Sequence, residues 1–123
     1  MTQRVDYQNG LPEKEVISAE DRAFMQRAID LSIRNIEEGG GPFGAVIVRD
    51  GEVVAEGANR VVPNNDPTAH AEVVAIERAC KSLGTWRLSG CTLYVTLEPC
   101  PMCAGAAINS RLDRVVFGAN DLR

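Results

Sequence analysis

His70, Glu72, Cys100 and Cys103 carry the chemistry available to this chain. They sit in two short stretches, His70-Ala71-Glu72 and Pro99-Cys100-Pro101-Met102-Cys103, and His70 is the sole histidine. One imidazole and two thiolates form a donor set that suits Zn²⁺. A structural zinc site closes its tetrahedron with a fourth protein ligand; a catalytic one leaves that place to water. Three ligands beside a carboxylate suited to proton transfer point to catalysis. The alternative is a closed structural knuckle, which needs one more thiolate. Cys80 stands ten residues past His70, about 15 Å along one helix by the standard rise, and is too far. Cys91 is the competitor for that fourth place. The bland reading of Cys80 and Cys91 is as small, partly buried hydrophobes.

The elements that must position these residues can be read in order. Residues 1 to 17 are polar, with Gly10 and Pro12 and no clear periodicity, and read as a flexible arm or docking strap. Ser18 and Asp21 fit a capping box, opening a helix to about residue 38. Met25, Ile29, Ile33 and Ile36, with Phe24, Ala28 and Leu31 alongside, give it an apolar stripe. Gly39-Gly40-Gly41 and Pro42 end it. Residues 43 to 49 read as a strand, continuously apolar from Ala45 to Val48 and so covered on both faces. Asp50-Gly51 is a two-residue hairpin signal, and residues 52 to 59 form the return strand. A polar loop covers residues 60 to 66. Asp66-Pro67 can cap a second helix, which runs to Leu83 with Val73, Val74, Ile76, Cys80 and Leu83 on its buried side. Gly84 stops it, and Trp86 in the next loop is expected to pack. Residues 92 to 97 are a third strand, residues 100 to 110 a third helix, and residues 114 to 118 a fourth strand. The order α-β-β-α-β-α-β predicts an α/β protein with a partly parallel sheet and helices on both faces.

Both ligand groups then fall at helix N-termini, where the macrodipole favours negative charge and hence thiolates. Cys100 and Cys103, three apart, share a helix face. His70 and Glu72 are about 200° apart on an ideal helix. They converge only at its very start, which places His70 in the first turn.

At 123 residues the chain is one domain, 45% hydrophobic and 24% charged. No apolar run approaches a membrane span, and the N-terminus has no apolar signal region. A cytoplasmic location is expected, because the Cys-x-x-Cys argues for reduced thiols. Net charge is −4, and no three of the thirteen basic residues are consecutive. That weighs against phosphate-rich partners and toward a small neutral substrate.

His-x-Glu followed by Pro-Cys-x-x-Cys is the zinc-deaminase signature, and the chain resembles the cytidine-deaminase-like superfamily from about residue 23 onward. Residues 40 to 48 (GGPFGAVIV), 65 to 72 (NDPTAHAE) and 98 to 103 (EPCPMC) look most like bacterial guanine deaminases. Residues 92 to 121 look equally like bacterial tRNA adenosine deaminases. The resemblance implies a three-layer α/β/α sandwich with a mixed sheet. It implies one Zn²⁺ per chain on His70, Cys100 and Cys103, with Glu72 as the proton shuttle and not a ligand. The backbone N–H of Cys100 would stabilise the attacking oxygen. Asn59 would hydrogen-bond the purine, against the plainer reading of a turn asparagine. Phe43 would stack on the base or serve as core, and the Ala71 backbone would contact the base.

The implied activity is hydrolytic deamination of a nucleobase, with guanine going to xanthine and ammonia. Adenosine in tRNA, cytosine or cytidine, and a silent zinc-binding partner subunit are the alternatives. In both look-alike families the chain continues past the fourth strand with another strand and one or two helices, and in guanine deaminases that tail closes the site. Ending at Arg123 leaves an open sheet edge in this reading, which, with the family likeness, predicts a homodimer.

Overall fold

The computed structural model describes residues 3–6, 11–13 and 17–118. In chain order the elements are β1 (Gln3–Asp6), β2 (Leu11–Glu13), α1 (Ala19–Glu37), β3 (Gly44–Arg49), β4 (Glu52–Ala58), α2 (Val61–Asn64), α3 (Ala71–Leu83), β5 (Cys91–Val95), α4 (Pro101–Asn109) and β6 (Arg114–Phe117). The strands form one sheet in the order β2-β1-β6-β5-β3-β4. β5 and β6 are parallel; the other neighbours are antiparallel. β3 is buried along both faces: Ala45 and Ile47 join the core beneath α3 and α4, while Val46 and Val48 join the core beneath α1. The sandwich is therefore three-layered, as expected.

Local signals account for most boundaries. Ser18 Oγ accepts from the Asp21 N–H at 3.0 Å and the Asp21 carboxylate accepts from the Ser18 N–H, completing the capping box. Asp50 and Gly51 both have positive φ, 53° and 77°, as a type I′ hairpin requires. The buried face of α1 differs from the expected stripe. It is Asp21, Met25, Ala28, Ser32 and Asn35, while Ile29, Ile33 and Ile36 are exposed. A Cβ at Gly44 would come within 2.3 Å of the Ala28 carbonyl oxygen and 3.0 Å of the Ser32 nitrogen. The helix lies so close to β3 that only small side chains fit beneath it, so the isoleucines turn outward.

The second predicted helix starts later than expected, and the polar loop before it holds a helical turn. Residues 61–64 form a single turn, and Asp66 accepts from Thr68 instead of capping a helix. α3 starts only at Ala71, and its most buried positions are Ala71, Glu72, Ala75 and Ala79. The larger Ile76, Cys80 and Leu83 pack around that alanine seam. Trp86 is 62% exposed rather than packed. The expected flexible arm falls partly on residues outside the described set. Within it, β1 pairs antiparallel with β6 and β2 with β1, so the edge of β6 is not open. Among the described residues, no helix is long and apolar enough to cross a membrane.

Candidate active site

α3 and α4 present their N-termini to one another beside the ends of β4 and β5. His70 is the N-cap of α3, in extended conformation at φ −68° and ψ 155°. It is therefore one residue ahead of the first turn, which lets it converge with Glu72. Cys100 is the N-cap of α4, Pro101 is its first residue, and Cys103 follows within the first turn. Neither N-cap side chain bonds its own helix, so both are committed elsewhere. His70 Nδ1 lies 3.6 Å from Cys100 Sγ and 3.5 Å from Cys103 Sγ. The three ligand atoms all lie within 4.8 Å of one another. A tetrahedral Zn²⁺ with ordinary Zn–N and Zn–S bonds separates nitrogen from sulfur by about 3.6 Å. The residues present thus fit the metal in donor type and spacing.

Cys91 does not compete. It is fully buried among apolar residues beneath α3 and α4, outside the ligand group. Cys80 donates its thiol toward the Trp86 carbonyl at 3.6 Å. With neither cysteine at the centre, the closed structural knuckle has no fourth ligand among the described residues.

Glu72 is 7% exposed. Burial pushes its carboxyl above the usual range, against hydrogen bonds from its own backbone N–H and Cys103 and the charge of His70. Burial, then the Glu72 charge and Cys100, push the Cys103 thiol far upward. A cation held by His70, Cys100 and Cys103 would favour the thiolate form, its proton passing to solvent.

These groups open into a cleft of about 100 Å³ lined by Phe43, Asn59, His70, Ala71, Glu72 and Cys100, with Val95, Leu97 and Glu98 completing the wall. Six of the seven expected site positions thus line one cavity, and the seventh, Cys103, is buried 3.5 Å from His70 Nδ1. Asn59 also plays the plainer part, its side-chain oxygen accepting from the Val61 N–H at 3.2 Å. Sequence reading missed the β5 side of the wall; the adjacency of Leu97 and Glu98 to Cys100 was the available signal. It also missed Asn35, which is 2% exposed and bonds the two loops beside the cleft.

Residues 18–119 match the family described as the cytidine and deoxycytidylate deaminase zinc-binding region. The chain belongs to that family, and its cofactor is Zn²⁺ on His70, Cys100 and Cys103. A guanine deaminase of Bacillus subtilis (strain 168) is 54% identical over 97 residues, covering 78% of this chain and 62% of that protein. A tRNA-specific adenosine deaminase of the same organism is 52% identical over 102 residues, covering 83% and 63%. The X-ray structure of guanine deaminase from Bacillus subtilis superposes with a TM-score of 0.79 at 52% identity, covering 80% of this chain and 64% of that one. The chain spans less than two thirds of the length of each.

Proposed function

We propose that this chain is a zinc-dependent aminohydrolase that converts guanine and water to xanthine and ammonia. The observation that carries the reading is the buried Glu72 carboxylate in one small cleft with His70, Cys100, Phe43 and Asn59, and with Cys103 grouped beside the other two ligands. His70, Cys100 and Cys103 would hold the zinc, which would supply the Lewis acidity that activates water in the cleft. Glu72 is the proton carrier. Its carboxylate takes one proton from the attacking water and passes it to the ring nitrogen, then takes the second from the hydroxyl of the adduct and passes it to the departing amine. Ammonia leaves from the ring carbon that carried it. The backbone N–H of Cys100 donates to the oxygen that adds to the ring; the free N-terminus of α4 supports that role. Phe43 stacks on the base, Asn59 hydrogen-bonds its edge, and the Ala71 backbone lies against it.

The narrow cleft, the acidic balance of the chain and the Bacillus guanine deaminase all support a free purine. The second reading is adenosine in tRNA, favoured by the almost equally similar adenosine deaminase. Residues 18–123 form the catalytic domain on either reading. The exposed Ile33 and Ile36 of α1 support a homodimer, and the thiols of Cys80 and Cys91, outside any disulfide, support a reducing, cytoplasmic setting.

Ammonia release from zinc-loaded protein decides between these. Guanine, adenine, cytosine, cytidine, adenosine and an anticodon stem-loop RNA are offered, with Glu72→Ala as control. Release from guanine, abolished in the variant, is expected. Release from the RNA alone transfers the protein to tRNA editing. Silence on all six, with zinc bound, refutes the enzyme reading.

A further inference from the structure

We propose that Asn35 is the positioning residue of the base pocket: its side-chain amide ties together the two loops that carry Phe43 and Asn59. This rests on the reading of that cleft as the base site. Asn35 lies near the end of α1, with its side chain buried against both loops. Its Nδ2 donates to the Gly41 carbonyl at 2.8 Å and to the Asn59 carbonyl at 2.8 Å. Its Oδ1 accepts from Arg60 Nη1 at 3.4 Å. Both amide hydrogens are therefore used, one on each loop, and the oxygen reaches the residue after Asn59.

Asparagine is a poor choice inside a helix, because its side chain competes for backbone groups. Here that tendency does the joining. Aspartate has the same shape but no donor, and would set a carboxylate against two carbonyls. Alanine would take the side-chain donor from the Asn59 carbonyl and leave the Gly41 carbonyl with the Phe43 N–H at 2.9 Å.

The surroundings are built to this bond. A Cβ at Gly40 would fall 2.2 Å from Asn35 Nδ2 and 2.5 Å from the Asn59 carbonyl oxygen, so no larger residue fits there. The Asn59 N–H donates to the Phe43 carbonyl at 3.2 Å, joining the same two loops a second time. Gly41, whose carbonyl Asn35 holds, is itself close to both working side chains. A Cβ there would lie 3.3 Å from the Asn59 side chain and 3.4 Å from the Phe43 ring. Asn35 thus acts on the substrate through the spacing of Phe43 and Asn59, at a distance from the zinc ligands and Glu72.

The test compares zinc-loaded full-length protein with Asn35→Ala and Asn35→Asp. Zinc stoichiometry, KM and kcat for guanine, and site-resolved amide hydrogen exchange are measured. If guanine is not turned over, the anticodon stem-loop replaces it. The variants are expected to keep their zinc, raise KM about tenfold, the scale of one lost buried hydrogen-bonding group, and change kcat much less. Asn35→Asp shows the larger rise. Exchange accelerates at residues 40–43 and 59–61 and not in β3 or β5. KM within twofold of wild type in a folded, zinc-loaded variant overturns the assignment. So does a uniform rise in exchange with zinc, KM and kcat lost together, since that marks a merely structural residue. If Asn35→Ala does not fold, Gly40→Ala displaces the same amide from its acceptors and is read by the same criteria. Wild-type protein that turns over nothing refutes the base-site reading and this inference together. Active wild type with unchanged variants refutes this inference alone.

Discussion

Replacing Gly57 by alanine should uncouple the zinc site from the sheet. Gly57 lies on β4 beneath the first turn of α3. A Cβ there would meet the Ala71 carbonyl oxygen at 2.5 Å, the Ala75 nitrogen at 2.6 Å and the Ala75 Cβ at 3.0 Å. These are backbone atoms and a methyl carbon with no rotamer to change. Ordinary contact begins at 3.4 Å, so the start of α3 must retreat by about 0.9 Å if β4 stays in place. His70 immediately precedes Ala71, whereas both sulfurs belong to α4, which follows β5. The imidazole therefore moves away from the thiols. Zinc tolerates errors in ligand distance of about 0.2 Å. Affinity is expected to fall about 10- to 100-fold, as when supporting residues of metal sites are lost, and overpacking should cost about 1–3 kcal/mol of stability. Competition against a chromophoric zinc chelator measures the first, and urea unfolding of the apo protein the second. Gly105→Ala is the control. Gly105 sits in α4 with open space where its Cβ would go, so this change should leave zinc affinity intact and add about 0.4–1 kcal/mol. A Gly57→Ala protein that binds zinc within twofold of wild type would refute the claim that β4 sets the position of His70.

Tyr94→Phe should cost about 1.5–3 kcal/mol, because the phenol donates to the ionised, buried Asp21 at 2.6 Å. The loss should depend on pH. Burial raises the Asp21 carboxyl, but hydrogen bonds from Tyr94 and Arg114 and the Arg114 charge outweigh it and hold the group below its ordinary value. A depressed folded pKa contributes stability that is complete above the unfolded value near 3.9 and disappears as pH falls through the folded one. Urea unfolding should therefore show a large wild-type advantage at pH 7 that shrinks as pH falls below the unfolded carboxyl value; an advantage that does not change with pH contradicts the ionised bond. Stripping zinc with a chelator should lower the melting temperature, since metal binds the folded site alone, and Cys103→Ser should abolish that difference in a differential scan. Deleting residues 1–13 should bare the edge of β6, where β1 now pairs, and shift the protein toward larger species by light scattering. A deletion variant with an unchanged mass profile argues against that pairing.

The chemistry was the most legible part of the sequence. The donor types and the three-residue spacing of Cys100 and Cys103 limit the possibilities before any fold is known. The 200° problem between His70 and Glu72 even predicts that His70 sits at the helix start. The wall of the cleft was less legible, because Val95 and Leu97 reach it only through the pairing of β5 with β3. The face of α1 was misread for a physical reason. Periodicity identifies which residues are apolar, and Ile29, Ile33 and Ile36 do recur on one side. The close approach of Gly44 decides instead for Ala28 and Ser32. Asn35 was invisible because an asparagine near a helix end looks like any surface polar residue until its two acceptors are in place. The N-terminal strands lack a period long enough to read; β2 spans three residues.

The pairing of β1 with β6 also sets an order of events during synthesis. Gln3 is matched with Phe117 and Val5 with Val115, so β1 leaves the ribosome well before the strand it pairs with. The hairpin of β3 and β4 can close locally, and β5 can add to it once α3 has formed. The first strand meanwhile has no partner, and its long loop must close against chain entropy before any of its bonds form. The nascent chain therefore carries β1 unpaired until β6 has been made, the interval in which a neighbouring chain on the same message can take its place.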